Sequence, residues 1–410
     1  MSYFGEWKAS EVFIEEACSI SPRIRSSCPT MSALEEKLRA RLRAEGPIPF
    51  RDFMEAALYD PEHGYYMRRV TIGARGDYLT SAHLHPIFGE LLAEKVLALF
   101  RELEAEVPSD EWTLLEWGAG TGRLAADLLA AFERQPEARP IRYLICEISP
   151  RLREEQRRLL RERSNVAWVS ERELGPECLT GIILSNELLD SFPVHRVVRE
   201  HGQWRELYVT LRDEAFAWTL GELTRPEIAR YFEQIGIELE EGQIADLAMD
   251  IVPWLECVAS ILKAGYVVTI DYGDTADRLY TRTRPMGTLR CFWGRQLVSD
   301  PLARVGEQDI TASVDFTLVM TAGQRLGLEV VEFKSQRALL MELGLLERAS
   351  VWLQKATSSA EDVAARLALK HFLLTGDLGE QFKVLVQRKR ASRTIPICGS
   401  PPMVRPPKMA

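Results

Sequence analysis

Short apolar runs alternate with helix-like stretches through the middle of the chain. From residue 112 onward, strands are predicted in "WTLLEW", "RYLICE", "NVAWV" and "TGIILSN", with helices over 121–134 and 150–163. "GYVVTIDYG" predicts a fifth parallel strand, and "LEVVEF" and "QFKVLVQR" supply two last strands. Strands that alternate with helices indicate a parallel sheet covered by helices on both faces. The pattern therefore predicts an α/β fold.

The pattern before this region is helical. Ser32 is followed three residues later by Glu35, a capping-box signature that predicts a helix ending near Gly46. "PFRDFMEAALYDP" predicts a second helix that ends before Pro61, and a third helix is expected over about 85–103. We therefore expect a helical N-terminal lobe over 31–105, preceded by an extension over 1–30 whose order the sequence does not determine.

The region after the fourth strand has strand-like alternation around Gly202, in "PVHRVVREHGQWRELYVTL" and "EAFAWTL". This alternation predicts an antiparallel hairpin or meander inserted over about 194–245, followed by a helix over about 246–262. Residues 274–312 have turn signals and predict a long loop, which is typical of functional or disordered segments. The α/β domain, with this insertion and this loop, is thus expected over 106–390, with a disordered tail over 391–410.

Composition narrows the function classes. The 410 residues carry a net charge of -9, which argues against a general affinity for nucleic acid. The seven cysteines lack C-x-x-C spacing and indicate reduced thiols, so no zinc site or disulfide frame is expected. No apolar stretch approaches the roughly 20 residues that span a bilayer. The acidic first 30 residues fit neither a secretory signal nor a transit peptide, and we expect a cytoplasmic protein.

A glycine-rich turn joins the first predicted strand of the sheet to its helix. "LLEWGAGTGRL" places Gly118, Gly120 and Gly122 where a ligand can approach the backbone and the helix N-terminus. The dinucleotide fingerprint G-x-G-x-x-G fails because position 123 is Arg. The arrangement E-x-G-x-G-x-G, with Glu116 at the strand end, resembles motif I of class I methyltransferases, which use S-adenosylmethionine (SAM). A carboxylate at this place suits a cationic cofactor.

Further acids follow the next strands. Glu147 ends "LICE" and can accept both ribose hydroxyls of a nucleoside, although a solvated acid at a helix N-terminus is the simpler alternative. The adenine is expected near Ser170 and Glu171, after the third strand. No metal is expected, because His83 and His85 lack a third ligand at a metal spacing.

"SNELLDSF" places an amide and two carboxylates at the end of the fourth strand, and "IDYG" places a third carboxylate at the end of the fifth. The residues are Asn186, Glu187, Asp190 and Asp271. Ligands of open α/β sheets bind beyond these strand ends, so the four side chains are candidate catalytic residues. Glu187 and Asp190 are three residues apart and would share a face of a helical turn. The alternatives are that Glu187 caps a helix and that Asp190 pairs with Arg196.

Several segments together resemble the MidA-type SAM-dependent methyltransferases over roughly 33–390. They include "PIPFRDFMEAALYDPEHGYYMRR", "GDYLTSAHLHPIFGELL", "LLEWGAGTGRLAADLL", "SNELLDSFPVHRV" and "GTLRCFWGRQLVSDPLARVGEQDITASVDF". The family's mitochondrial members are protein arginine methyltransferases needed to assemble respiratory complex I. The resemblance implies a mitochondrial location only if the chain belongs to that eukaryotic branch. The resemblance implies a class I methyltransferase fold with a Rossmann-like, seven-stranded, mostly parallel sheet. It also implies SAM as cofactor and a protein arginine as acceptor.

Two departures from the family pattern concern the acceptor. Ala82 and His83 stand where the family has Pro and Glu, and Ser313 stands where it often has His. Both segments are expected to face the pocket. The "GDYLTS" loop, with cofactor contacts predicted from Asp77, Tyr78 and Thr80, is expected to close over the cofactor.

The acceptor itself stays open at this stage. A guanidinium gripped by the carboxylates fits a protein arginine, whereas the departures favour a small-molecule or carboxylate methyltransferase. A third hypothesis is an assembly factor that binds SAM and acts by binding a partner through the inserted strands and the basic tail. A protein substrate and a homodimer are both compatible with the sequence, and His195 is expected to be a strand residue.

Overall fold

The computed structural model of the protein describes residues 32–68, 81–108, 111–135, 140–294, 296–355 and 378–391, with 363, 366, 369–370 and 372 between the last two ranges. The N-terminal extension, the chain after 391 and the loop residues Asp77, Tyr78 and Thr80 lie outside the described residues. No helix in these ranges is long and apolar enough to cross a membrane.

The helices of the described ranges are, in chain order, α1 (Ala33–Glu45), α2 (Phe50–Tyr59), α3 (Tyr65–Arg68), α4 (Ser81–Leu84), α5 (Ile87–Glu104), α6 (Arg123–Glu133), α7 (Pro150–Leu159), α8 (Glu227–Ile235), α9 (Ile251–Ile261), α10 (Ala276–Leu279), α11 (Phe316–Arg325), α12 (Gln336–Glu342), α13 (Leu345–Lys355) and α14 (Leu378–Gln381). The strands are β1 (Ile48–Pro49), β2 (Trp112–Trp117), β3 (Ile141–Cys146), β4 (Val166–Val169), β5 (Leu179–Asn186), β6 (His195–Glu200), β7 (Gln203–Arg212), β8 (Ala215–Gly221), β9 (Ile244–Leu247), β10 (Leu262–Asp274), β11 (Arg290–Trp293), β12 (Gln296–Val298), β13 (Asp309–Thr311), β14 (Val314–Asp315), β15 (Glu329–Ser335) and β16 (Phe382–Lys389).

The central sheet has the strand order β15-β16-β10-β5-β2-β3-β4. The five strands from β10 to β4 are parallel, and β16 is antiparallel to both of its neighbours. The two-residue β14 also pairs with β10, so the sheet has eight strands in the described residues instead of the seven predicted. The mostly parallel α/β class is confirmed, and the carboxyl ends of β2, β3, β5 and β10 lie at one edge.

A second sheet is built from the inserted strands. β6, β7, β8 and β9 pair antiparallel, as the alternation around Gly202 predicts, and β1 from the N-terminal region pairs with β7. The helix expected from 246 begins instead at Ile251, because residues 244–247 extend this sheet as β9. The segment 274–312, expected as a long loop, contains α10 and a small sheet of β12, β11 and β13.

Three apolar cores hold these layers together. One core lies between one face of the central sheet and α5, α6 and α12, and a second lies between the other face and α8, α9 and α11. The third joins α1 and α2 to the inserted sheet, where Phe50 packs on Trp218 and Phe53 on Phe216 with ring centroids 5.1 and 5.4 Å apart. The N-terminal helices therefore share a core with the insertion and are fixed next to the carboxyl edge of the central sheet.

Candidate active site

A cavity of about 500 Å³ opens at the carboxyl edge of the parallel strands. Its size falls within the range of small-molecule sites. One half is walled by the glycine turn and by the ends of β2 and β3. The other half is walled by the chain after β5, by α2 and by the start of α9, and the polar lining residues of this half are Arg51, Glu55, Tyr59, Asn186, Glu187, Ser191 and Asp250.

The glycine turn follows β2 and leads directly into α6. Gly118, Gly120 and Gly122 all have left-handed backbone angles, with φ of 72°, 55° and 81°. A Cβ on Gly118 would lie 2.7 Å from Cδ1 of Leu188, which belongs to the chain after β5. The backbone angle therefore favours glycine at this position, and a Cβ would also force the Leu188 side chain to shift. Gly118 and Gly120 line the cavity, whereas Gly122 is not among its described lining residues.

Glu116 lies at the end of β2 and lines the cavity, although it is only 2% exposed. The Tyr143 hydroxyl donates a hydrogen bond to Oε2 of Glu116 at 2.7 Å. Burial raises the pKa of Glu116 to about 7, and the Tyr143 hydrogen bond opposes that rise. A buried carboxyl of this kind becomes fully ionised when a cation binds beside it.

Glu147 follows β3 and is held in place by its neighbours. Its Oε1 accepts a hydrogen bond from the Ser149 amide at 2.9 Å, and Gln156 donates to Oε2 at 3.3 Å. Burial raises the pKa of Glu147 above its ordinary value. Gln156 also donates to the Gly120 carbonyl at 2.7 Å, so one amide ties the acid to the glycine turn. Glu171, at the expected adenine position, lines the same half of the cavity, whereas Ser170 is not among its described lining residues.

Glu187 lines the other half of the cavity in an unusual backbone conformation. Its φ is 53°, and its amide donates to the Ile270 carbonyl at 2.9 Å. Oε1 accepts hydrogen bonds from the Ser81 amide at 2.9 Å and from Asn186 at 3.3 Å. Burial raises the pKa of Glu187 to about 8, and the nearby Asp271 adds to the rise. Left-handed backbone at a bulky residue costs free energy and is concentrated at functional sites.

Asp271 does not reach the cavity wall. It is completely buried, and its Oδ2 accepts hydrogen bonds from the amides of Leu188 and Leu189 at 3.0 and 2.8 Å. Its Oδ1 accepts from the Tyr272 amide at 2.8 Å. Burial raises the pKa of Asp271 to about 7. The carboxylate therefore anchors the chain directly after Glu187.

Asp190 is also absent from the described lining residues. It does not share a helical face with Glu187, because the intervening chain forms only a short 3₁₀ turn over Leu189–Ser191. Burial raises the pKa of Asp190 well above its ordinary value, and the charges of Asp271 and Asp309 add to the rise. Arg196, the expected alternative partner of Asp190, pairs instead with Asp246.

The two departures from the family pattern lie in different surroundings. His83 lines the cavity, and its Nε2 lies 2.9 Å from the Thr121 hydroxyl. Burial lowers the pKa of His83 to about 4, with a smaller contribution from Arg123, so the ring is neutral at pH 7. Ser313 is buried, its amide donates to Thr288, and it is not among the described lining residues, contrary to our expectation.

Sequence reasoning missed the wall that α2 and α9 contribute. Arg51, Glu55 and Tyr59 come from α2, and Asp250 and Trp254 come from the start of α9. A signal was present, because polar residues four apart interrupt an otherwise apolar helix.

His195 lies in β6, as expected for a strand residue, and its Nδ1 lies 2.7 Å from Oε1 of Glu206. Among the described residues, no group of three or more potential ligands is arranged to hold a metal ion.

Comparisons with known proteins agree with this geometry. The model of one family, described as S-adenosyl-L-methionine-dependent methyltransferases, matches residues 91–334. The mitochondrial protein arginine methyltransferase NDUFAF7 of Mus musculus is 30% identical and the alignment covers 78% of this chain and 76% of that protein. Its Drosophila melanogaster homolog is 26% identical, over 72% and 71% of the two chains. A crystal structure from Burkholderia thailandensis, bound to S-adenosyl-homocysteine, has a TM-score of 0.77 at 29% identity and covers 89% of this chain and 96% of that one.

Proposed function

We propose that this chain, which belongs to the family of S-adenosyl-L-methionine-dependent methyltransferases, transfers a methyl group to a guanidinium nitrogen of an arginine in a protein acceptor. The family model, the named relatives and the Burkholderia thailandensis structure confirm the resemblance to MidA-type enzymes, and the chain is an SAM-dependent methyltransferase. The observation that carries the arginine proposal is Glu187, a carboxyl with a raised pKa held in left-handed backbone. It lines the half of the cavity that is walled by α2, the start of α9 and the chain after β5, which we call the acceptor half. The relatives named protein arginine methyltransferases support the same acceptor.

The residues around the glycine turn fit SAM. Gly118 and Gly120 have no side chain and line the cavity, so their backbone is open to a ligand. The acids Glu116 and Glu147 line the same half of the cavity and suit an ammonium group and a ribose. We propose that Gly118, Gly120 and Glu116 hold the methionine part, that Gly122 lets the turn enter α6, and that Glu147 accepts the ribose hydroxyls. SAM supplies, when bound, an electrophilic methyl carbon on a sulfonium.

Glu187 meets the two requirements that a guanidinium acceptor sets. The group stays protonated at neutral pH and presents a planar fork of N–H donors, which a carboxylate binds well. Both described hydrogen bonds to Glu187, from Ser81 and Asn186, are to Oε1, so we assign Oε2 to the acceptor. The cation lowers the pKa of Glu187 and keeps it ionised. The same carboxylate then accepts the proton that the nitrogen loses when it is methylated.

The remaining predicted catalytic residues act on Glu187. Asn186 donates to its Oε1, which orients the carboxylate. Asp271 accepts hydrogen bonds from the amides of Leu188 and Leu189, the two residues that follow Glu187. Asp190 lies in the same acidic cluster, where burial and then the charges of Asp271, Asp309 and Glu187 raise its own pKa. We propose that Asn186, Asp190 and Asp271 are positioning residues and that Glu187 alone of the four touches the acceptor.

Incubation of the purified protein with methyl-labelled SAM and a protein extract tests the proposal. We expect label in protein and a loss of at least about 100-fold in rate for Glu187→Gln, the lower range for a proton-transfer group. Glu256→Gln, which removes the same charge at an exposed position of α9, should retain the rate. Label found only in small metabolites would contradict the proposal. The cytoplasmic location stays a prediction, because the mouse and fly relatives are named as mitochondrial proteins. The homodimer stays a prediction as well.

A further inference from the structure

One face of α2 forms a wall of the acceptor half of the cavity. Arg51, Glu55 and Tyr59 are spaced four residues apart, which places them on one stripe of the helix, and all three line the cavity. The stripe faces the start of α9, which contributes Asp250 and Trp254 to the same cavity. This wall of the cavity is therefore formed by two elements that are distant in sequence.

An ion-pair cluster connects these two elements. Arg51 donates from Nε to Oδ2 of Asp250 at 3.1 Å and from Nη2 to the same oxygen at 2.5 Å, and its Nη1 contacts Glu55. The Arg51 and Asp250 side chains are only 20% and 21% exposed. Arg225, which is not among the described lining residues, donates to the other oxygen, Oδ1, at 3.3 Å. Arg51 thus contacts two carboxylates that line the cavity, Glu55 and Asp250, and a third, Asp52, that is not among the described lining residues.

Aromatic rings line the cavity next to this cluster. Tyr59, Phe192 and Trp254 are lining residues, and Trp254 packs edge-on against Phe192 with ring centroids 6.3 Å apart. Aromatic faces attract cations, most strongly where water is excluded. Carboxylates and aromatic rings together form surroundings that favour a planar cation over an anion or a neutral group.

Building on the proposed function, we propose that Arg51 is an internal guanidinium that occupies Asp250 and Glu55 until a cationic segment of the acceptor replaces it. The two acids then bind an arginine or lysine next to the one that is methylated, and they select acceptors with clustered positive charge. Arg51 lowers the affinity for every acceptor, because an acceptor must displace a guanidinium of the same shape and charge. A segment with a single cation gains nothing from this exchange.

Two other roles for Arg51 predict other changes in acceptor affinity. If Arg51 instead binds an anionic group of the acceptor, its removal weakens acceptor binding. If the cluster only joins α2 to α9, its removal changes stability and leaves acceptor affinity the same. The sign of the change in affinity therefore separates these three roles.

The test measures binding of a fluorescein-labelled peptide of alternating arginine and glycine to the full chain by fluorescence anisotropy. Arg51→Met should bind the peptide about tenfold more tightly, equivalent to about 1.4 kcal/mol. Asp250→Asn should bind it at least about fivefold more weakly, because the acid that the peptide contacts is lost. Arg51→Lys should stay close to the unmodified protein. The matched control is Arg43→Met, which removes the same charge from an exposed pair with Glu214, and it should change affinity less than about twofold.

Titration of S-adenosyl-homocysteine by calorimetry on the same proteins shows whether each variant keeps its cofactor site. Weaker or unchanged peptide binding by Arg51→Met, with this titration intact, overturns the inference and leaves methyl transfer untouched. Unchanged binding by Asp250→Asn overturns it as well, and this variant decides the matter if Arg51→Met does not fold. Failure of the proposed function would appear differently, as an absence of methylated arginine in proteins while the peptide results hold.

Discussion

The ionisation of Glu187 has a cost that can be measured without any acceptor. Burial and the neighbouring Asp271 raise the pKa of the Glu187 carboxyl from 4.5 to about 8 in the folded protein. A carboxyl with a raised folded pKa stabilises the fold fully below its unfolded pKa, and this contribution is lost as the pH rises towards the folded pKa. Glu187→Gln removes the charge and keeps an oxygen that can accept from the Ser81 amide. We therefore expect this variant to be more stable than the unmodified protein at neutral and higher pH.

The size of the effect follows from the two pKa values. Linkage gives a gain for Glu187→Gln of under about 1 kcal/mol at pH 5, increasing to on the order of 3–5 kcal/mol between pH 7 and pH 9. These figures are upper values, because the carboxyl is partly exposed and its surroundings relax. Most of the change falls between pH 5 and pH 8, and above about pH 8 the difference levels off.

Urea unfolding of both proteins at pH 5, 7 and 9, followed by tryptophan fluorescence, measures the difference. Low pH is the internal control, since Glu187 and Gln are then both uncharged in the folded protein. A stability difference that does not change with pH would refute the reasoning. So would a variant that is less stable than the unmodified protein at pH 9, because the carboxylate would then be stabilised in the fold.

Three further predictions concern the two halves of the cavity. Gly118→Ala forces a side chain into left-handed backbone and against Leu188, so calorimetry should show at least about tenfold weaker S-adenosyl-homocysteine binding and about 1–2 kcal/mol lower stability. Tyr143→Phe removes the hydroxyl that keeps the pKa of Glu116 near 7; SAM affinity should fall several-fold at pH 7 and recover by pH 9, and an equal loss at both pH values would contradict this. At saturating SAM, kcat/KM for the acceptor should rise with pH up to about 8 and then level off, since Glu187 must be ionised in the free enzyme; a flat profile from pH 6 to 9 would remove Glu187 from this role.

The cofactor half of the cavity could be predicted from the sequence because it is built from local patterns. The glycine turn and the acids Glu116 and Glu147 each follow a strand, and parallel strands bring their carboxyl ends to one edge. The position of Glu187 follows from the same rule. Its left-handed backbone does not, because hydrogen bonds from the Ser81 amide and to the Ile270 carbonyl hold it there.

The acceptor half could not be predicted in the same way. Arg51 and Asp250 are 199 positions apart, and the inserted sheet brings them together through the core it shares with α2. Asp271 matched the strand-end rule, yet its carboxylate accepts hydrogen bonds from the backbone amides of Leu188, Leu189 and Tyr272 behind the cavity wall. A strand-end rule places a residue at the site edge, but only tertiary contacts decide whether its side chain faces the ligand or the chain behind it.

The most direct test of the central claim is chemical identification of the methylated product. Protein labelled by the enzyme and methyl-labelled SAM is hydrolysed in acid to amino acids, and the labelled amino acid is identified by mass spectrometry. The account predicts methylarginine, with no label above background when Glu187→Gln replaces the unmodified enzyme. Label that is released by mild base as methanol, or that appears in another amino acid, would contradict a guanidinium acceptor.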